Sequence, residues 1–379
     1  MAQLLSEYIS FGKPDFSEQE VDAVTRVLRS GWVGMGPEVQ AFESELASYL
    51  DVSCAVTVNS CTSALFLSML VLGVGVGDEV ICPSLTWCAT ANAALYLGAT
   101  PVFCDVSRVT FNQTVEAVME KVTPRTKAVV IVHYGGLAFD VVALREHLPA
   151  RIPIVEDAAH ALGARYPGGK LVGSSGNLVC LSFYANKNLS TGEGGAIVLR
   201  DGATADRLAS LRQNAYPLNA WKRFTDRHML LSSGLTELGY KMNYTDLQAA
   251  LGRVQLQRQP KLNDRRLDIA RIYDSALAST GCLPQHHLTH PDHARHLYAI
   301  TLPDGVDRIS LLERCRSRNA GMTIHYAPLH LMPLYESSAR LPITEELGNR
   351  LLTLPMSSSI TPGQAESVAA IFVQELRPR

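Results

Sequence analysis

Between about residues 52 and 200 the chain alternates short apolar runs with longer stretches of helix-like polarity. The runs at 54–58, 79–83, 101–106, 127–133, 152–157, 179–183 and 195–199 predict strands, with Ala128-Val129-Val130-Ile131-Val132 the most unbroken. A strand reads this way when both of its faces are covered. The pattern therefore predicts an α/β domain whose sheet is mostly parallel and seven-stranded, with helices on each side. Residues 63–72 and 86–97 are apolar on most faces and predict buried helices.

After about residue 245 the texture changes. Residues 246–272 predict a long charged helix with an apolar stripe at Leu247, Ala250, Leu251, Val254 and Leu256. Beyond it, short strands at 297–302 and 323–326 mix with helices at 309–318 and 362–376, as in a smaller α+β domain. The expected division is an N-terminal arm at 1–12, a large domain at 13–250 and a small C-terminal domain at 251–379. Residues 213–235, rich in Asn, Arg and Trp, predict an irregular loop, where substrate selectivity is expected to reside.

Composition narrows the class. With 379 residues, 47% hydrophobic and 18% charged, the chain can bury a large core and lacks the charge that disorder requires. A net charge of −2, with acids and bases scattered, offers no basic footprint for nucleic acid and no polybasic membrane patch. The eight cysteines show no CxxC pairing and read as reduced, buried, small apolar residues. The first ten residues hold no Lys or Arg and no sustained apolar run, and no stretch is long enough to span a bilayer. A cytoplasmic protein with a small-molecule partner is expected.

In parallel α/β sheets ligands bind outside the carboxyl ends of the strands, and several of these strands end in chemically useful residues. Asn59-Ser60-Cys61-Thr62-Ser63 follows the first strand and opens a buried helix. Hydroxyls and free N–H groups at a helix start suit a phosphate, although plain N-capping by Ser60 or Thr62 explains the same residues. Trp87, after the second strand, can stack on a flat ring or simply fill the core. Asp157 ends an apolar strand, and acids are almost never fully buried unless paired. Ser182 and Lys187 follow the sixth strand.

Alone, Lys187 would read as a surface lysine; Lys170 and Lys241 compete with it, but neither follows a strand converging on this edge. Together, Lys187 and Asp157 are the two groups that a pyridoxal phosphate enzyme needs from its protein, an amine for a Schiff base and an acid for the pyridinium nitrogen. Two other features have plainer readings. His286, His287, His290, His293 and His296 crowd one segment, but no Cys or acid pattern completes a metal site and Pro291 interrupts a helix, so no metal is expected. Gly73, Gly75 and Gly77 follow a helix rather than a strand and read as a turn.

Over nearly its whole length the chain resembles the DegT/StrS family of nucleotide-sugar aminotransferases, which have the aspartate aminotransferase-like (type I) pyridoxal phosphate fold. The resemblance rests on Gly31-Trp32-Val33-Gly34-Met35-Gly36-Pro37, Thr62-Ser63-Ala64-Leu65, Pro83-Ser84-Leu85-Thr86-Trp87 and Glu156-Asp157-Ala158-Ala159-His160-Ala161. It continues through Ser182 to Lys187, Thr191-Gly192-Glu193-Gly194-Gly195, Gly239-Tyr240-Lys241-Met242-Asn243 and His325-Tyr326-Ala327-Pro328-Leu329-His330.

The resemblance implies that Lys187 would form the Schiff base with pyridoxal 5'-phosphate and then shuttle a proton. Asp157 would keep the pyridine nitrogen protonated, Trp87 would stack on the ring, and His160 would stand near its phenolate side. Thr62, Ser63 and Ser182 would hold the phosphate, helped by Asn243 from a second subunit, which implies a homodimer. His325 and His330 match positions near the sugar-binding cleft. The implied reaction moves an amino group, from glutamate, onto a keto-sugar nucleotide. Cys61 and His160 depart from the residues many members carry, Gly and Gln or Glu. His160 and Pro83-Ser84-Leu85-Thr86-Trp87 are similar to the branch that makes 4-amino-4-deoxy-arabinose on a uridine nucleotide, which points to C4. A keto-inositol acceptor remains open. So, less favoured, does a non-catalytic regulatory protein on the same fold; a dehydratase relative, with His in place of the lysine, is opposed by Lys187.

Overall fold

The computed structural model describes residues 5–216, 235–286, 289–335 and 337–376. Most of the expected loop at 213–235 lies outside the described residues, as do His287 and the first four residues of the expected arm.

Seven strands form the main sheet: β1 (Cys54–Val58), β2 (Glu79–Pro83), β3 (Thr100–Cys104), β4 (Thr126–Val132), β5 (Ile154–Asp157), β6 (Leu178–Ser182) and β7 (Gly195–Leu199). Their order is β1-β7-β6-β5-β4-β2-β3. All pairings are parallel except the two made by β7, which runs against both β1 and β6. Successive strand residues face opposite sides, so each apolar run divides between two cores. Val129, Ile131, Ile154, Val179 and Leu181 pack on one side with Phe42 and Leu46 of the helix Pro37–Leu50. Val130, Val155, Cys180 and Ile197 pack on the other with Leu65, Leu67 and Met69 of the helix Cys61–Val71. That division is why the runs show no polar alternation.

The reversal of β7 places its first residue beside the last residues of its neighbours: Gly195 pairs with Val58 and with Ser182. The carboxyl ends of β1 and β6 and the start of β7 thus meet at one point. A Cβ at Gly195 would come within 2.6 Å of Cys61 N, 2.7 Å of Ser60 C and 2.8 Å of Leu181 O, all backbone atoms. Only glycine lets the helix start sit directly on the sheet. Gly195→Ala is expected to cost about 1–3 kcal/mol from overpacking. It should also displace the Ser60–Cys61 turn, read as a lower unfolding midpoint in denaturant.

The long helix Asp246–Leu277 starts at a capping box, in which Thr245 and Gln248 satisfy each other's backbone. It continues past the expected end at 272. Its first turn packs beside the large sheet's helices, and Ile269, Ala270, Tyr273 and Leu277 enter a second core. That core lies against a three-stranded antiparallel sheet, β8 (Leu283–Pro284), β9 (Tyr298–Thr301) and β10 (Leu351–Leu354), in the order β10-β9-β8. The helices Arg308–Arg316 and Pro362–Leu376 complete it.

Two expectations shift. The strand expected from 152 starts at Ile154, because Pro153 has no N–H for the ladder and offers only its carbonyl, to Val129 at 3.0 Å. No strand forms at 323–326: Thr323 makes an isolated bridge to Thr353, after which the chain turns so that His325 and Tyr326 line the cavity described below. Among the described residues, no helix is long and apolar enough to cross a membrane.

Candidate active site

A cavity of about 450 Å³ opens at the carboxyl ends of β5 and β6. This is the size and place expected of a small-molecule site in an open α/β sheet. Lys187 and Asp157 both line it, with Thr62, Trp87, His160, Ser182 and His325. Parallel pairing aligns Val132 of β4 with Asp157, so β4 and β5 end level, and β6 continues two residues beyond them to Ser182.

Asp157 is buried, and Thr90 donates its hydroxyl to Oδ2 at 2.7 Å while the Ala159 N–H reaches Oδ1 at 3.2 Å. Burial pushes its pKa up, against those two hydrogen bonds and the nearby Lys187. No described cation forms an ion pair with it. The strand neighbour Glu156 points the other way. It accepts from Tyr166 (2.5 Å), Asn177 (2.7 Å), Ser175 and His133 (2.9 Å), the last of which is held in one tautomer by the Phe139 N–H on its other nitrogen. One carboxylate is therefore fully used by the fold, and the next is left for the cavity.

Lys187 sits in the turn after β6. Burial pushes its ammonium down to about 8, against the pull of Cys61 and Asp157. Three imidazoles surround it. His160 and His296 lie with ring centres 4.3 Å apart and planes tilted by 30°, and burial holds both well below the usual histidine range. Burial likewise pushes His325 down to about 3, and its Nδ1 lies 3.0 Å from Thr353 Oγ1. Neutral rings next to an amine add no charge of their own. His160 accepts the Gly135 N–H at Nδ1 (3.3 Å), so Nε2 carries the proton it donates to the Tyr326 hydroxyl at 3.1 Å.

At the cavity's other end, Ser60 caps the helix Cys61–Val71 by accepting the Ser63 N–H at 3.1 Å. The capping function expected of Ser60 is real, and it leaves the first-turn N–H groups and the Thr62 hydroxyl at the cavity wall. Ser63 does not line this cavity; its hydroxyl donates to Asn59 Oδ1 at 2.7 Å. It borders a smaller apolar hollow with Phe66, Tyr96, Tyr240 and Met242. Trp87 is 60% exposed at the mouth, its ring 5.9 Å from Tyr326. Asn243 stays outside its own chain's cavity, and its buried Oδ1 has no hydrogen-bond partner among the described residues. His330 is also elsewhere: buried, with Nδ1 2.7 Å from Ser84 Oγ and Nε2 3.2 Å from Glu345. Among the described residues, no group of three or more His, Cys, Asp or Glu comes together to hold a metal.

The sequence reading assigned no role to Thr90, Tyr326 or His296. Tyr326 has a signal in the His325-Tyr326 pair; Thr90 shares a short, mostly Ala helix with Asn92 and carries none.

The model of the DegT/DnrJ/EryC1/StrS aminotransferase family matches residues 14–373. The spore coat polysaccharide biosynthesis protein SpsC of Bacillus subtilis is 37% identical over 380 residues, 97% of each chain. The aminotransferase TlmJ from Streptoalloteichus hindustanus superposes with a TM-score of 0.90 at 36% identity, covering 97% of this chain and 98% of that one. DesV of S. venezuelae, solved in complex with a ketimine intermediate, gives 0.85 at 33% identity over 96% of this chain and 95% of its own. These matches and the fold define the class, a pyridoxal phosphate-dependent aminotransferase. Within it, the chain belongs to the DegT/DnrJ/EryC1/StrS family and is a sugar aminotransferase.

The site fits that cofactor. Asp157 is a buried carboxylate whose described partners are a hydroxyl and an N–H, so a protonated ring nitrogen would complete it. Opposite charges about 4 Å apart attract by roughly 4 kcal/mol at an effective dielectric near 20. The buried Asn186 Oδ1 at the cavity wall also has no hydrogen-bond partner among the described residues.

Proposed function

We propose that this aminotransferase transfers an amino group from glutamate to C4 of a keto sugar carried on a nucleotide. It does so as a cytoplasmic homodimer, in two half-reactions that share one site. The observation that carries the catalytic assignment is that Lys187 and Asp157, far apart in sequence, line one cavity. Support for the sugar comes from His160 and Pro83-Ser84-Leu85-Thr86-Trp87, which are similar to the 4-amino-4-deoxy-arabinose branch. The relative SpsC is a polysaccharide biosynthesis protein, and polymerised sugars are built from activated precursors.

When bound, pyridoxal phosphate supplies an electron sink for the carbon that carries the amine. Asp157 holds the counter-charge to the ring nitrogen, and Thr90 fixes the carboxylate's orientation. Ser182, Thr62 and the helix start at Cys61 would hold the phosphate, with Ser63 shaping that turn. Trp87, exposed at the mouth, would stack on the ring, and His160, neutral and with Nε2 protonated, points its hydrogen bond at Tyr326. Lys187 Nζ, partly uncharged near neutral pH, is the base that takes the proton from the substrate carbon and returns it. His325 faces the sugar; His330, held by Ser84 and Glu345, is given no part in the reaction.

The two-subunit arrangement is supported by Asn243, which lies outside its own cavity with an oxygen unpartnered among the described residues, and by the open apolar hollow beside Ser63. Eight free cysteines suit a reducing compartment. The test is a substrate panel: the purified enzyme with glutamate and nucleotide-linked 4-keto sugars, 3-keto sugars or a keto-inositol. Product is expected with a 4-keto sugar nucleotide. Turnover confined to 3-keto sugars or to the inositol would overturn the assignment.

A further inference from the structure

His296 lies in the histidine-rich segment whose spacing first raised the question of a metal, yet its ring ends beside the reactive lysine. Nε2 is 3.4 Å from Lys187 Nζ, and the residue is buried. The orientation of that ring is set by a chain of hydrogen bonds that starts at the backbone. The Ala294 carbonyl can only accept, so Asn188 must turn its Nδ2 toward it, at 2.7 Å. Asn188 Oδ1 then faces His296 Nδ1 at 3.2 Å, and since an amide oxygen only accepts, Nδ1 carries the proton. A neutral imidazole with its proton on Nδ1 has its lone pair on Nε2, the atom that meets the lysine. Burial, and then Lys187 itself, keep the ring neutral. Asn188 directly follows Lys187, so one turn both carries the amine and sets the acceptor that faces it.

We propose that His296 is a positioning residue for Lys187: its Nε2 lone pair takes one N–H of the lysine amine, holding the nitrogen in one place and stabilising the extra proton it carries between transfers. The other groups facing Lys187 are Cys61 and Asp157, which favour its charged form, Arg266, which opposes it, and the neutral His160 and His325. Burial alone would push the amine down. A lone pair aimed at the ammonium works in the opposite direction.

The inference rests on the proposed role of Lys187, and its test is read without sugar, donor or cofactor. Lys187 in the full-length protein freed of cofactor is titrated by trace labelling with an amine-reactive anhydride across pH. The readout is mass spectrometry of its peptide, with exposed Lys170 as the internal reference. A hydrogen bond to a charged group is worth roughly one pH unit. His296→Phe should therefore lower the Lys187 midpoint by about one unit, and His296→Gln, which can place an amide oxygen where Nε2 stands, should restore most of it. Asn188→Ala leaves the imidazole in place but frees its tautomer, and should give a smaller fall in the same direction. If His296 only fills space, the variants lower the melting temperature and leave the midpoint unmoved. An unshifted midpoint in a folded His296→Phe protein, or in Asn188→Ala where the first fails to fold, overturns the assignment. A wrong sugar in the proposed reaction would change none of these midpoints.

Discussion

A Lys187→Ala enzyme is expected to lose transamination to background, a fall on the order of 10⁶-fold, along with the visible absorbance of the bound cofactor. The size follows from the site's inventory. Among the described residues Lys187 is the lysine that lines the cavity, and in the proposed mechanism it must both join covalently and move the proton. The neutral imidazoles of His160, His296 and His325 are close, but none can form the linkage. Folding should be nearly unaffected, because an amine with a depressed pKa gains little from burial in its charged form. Single-turnover measurement with a pre-aminated cofactor checks the claim; persistent turnover would remove the lysine from its role.

Asp157→Asn is the second large effect. The amide keeps the shape and can still accept from Thr90, so the loss isolates charge from packing. Leaving a buried cation without its partner costs about 3–5 kcal/mol, or roughly two to four orders of magnitude in cofactor affinity and rate together. The neighbouring Glu156 cannot substitute, since it points into the opposite layer and is already bound by Tyr166, Ser175, Asn177 and His133. The measurements are the cofactor dissociation constant and the half-reaction rate with donor. Near-normal values in both would show that the carboxylate's charge is not used.

How much of this was legible in the sequence depends on how local each signal was. β2 and β7 fall at their expected residues, since an unbroken apolar run bounded by Gly, Pro or charge leaves little choice of ends. Asp157 stood out because an acid ending an apolar strand needs a partner. The helices Glu18–Ser30 and Pro37–Leu50 were not read. The first buries only Glu20, Ala23 and Val27, which is too sparse a stripe to announce itself, although Ser17 and Glu20 do form a capping box. His296 was legible only as one of a crowd. Its meeting with Lys187 depends on packing between segments more than a hundred residues apart, and no spacing rule records that. Thr90 likewise gains its meaning from the strand opposite. Asp157 ends β5 and Lys187 follows the end of β6, where topology does the gathering; the residues that orient them come from a short helix (Thr90), a turn (Asn188) and a distant loop (His296).

The most direct test of the account is to treat the purified, cofactor-loaded protein with borohydride, digest it, and find the peptide that carries the reduced pyridoxyl group. The mass is predicted on the Ser182–Lys187 segment, at Lys187, and is predicted to persist there in Asp157→Asn at lower occupancy. Finding it on Lys170 or Lys241, or on no lysine while the protein still turns over, would contradict the account.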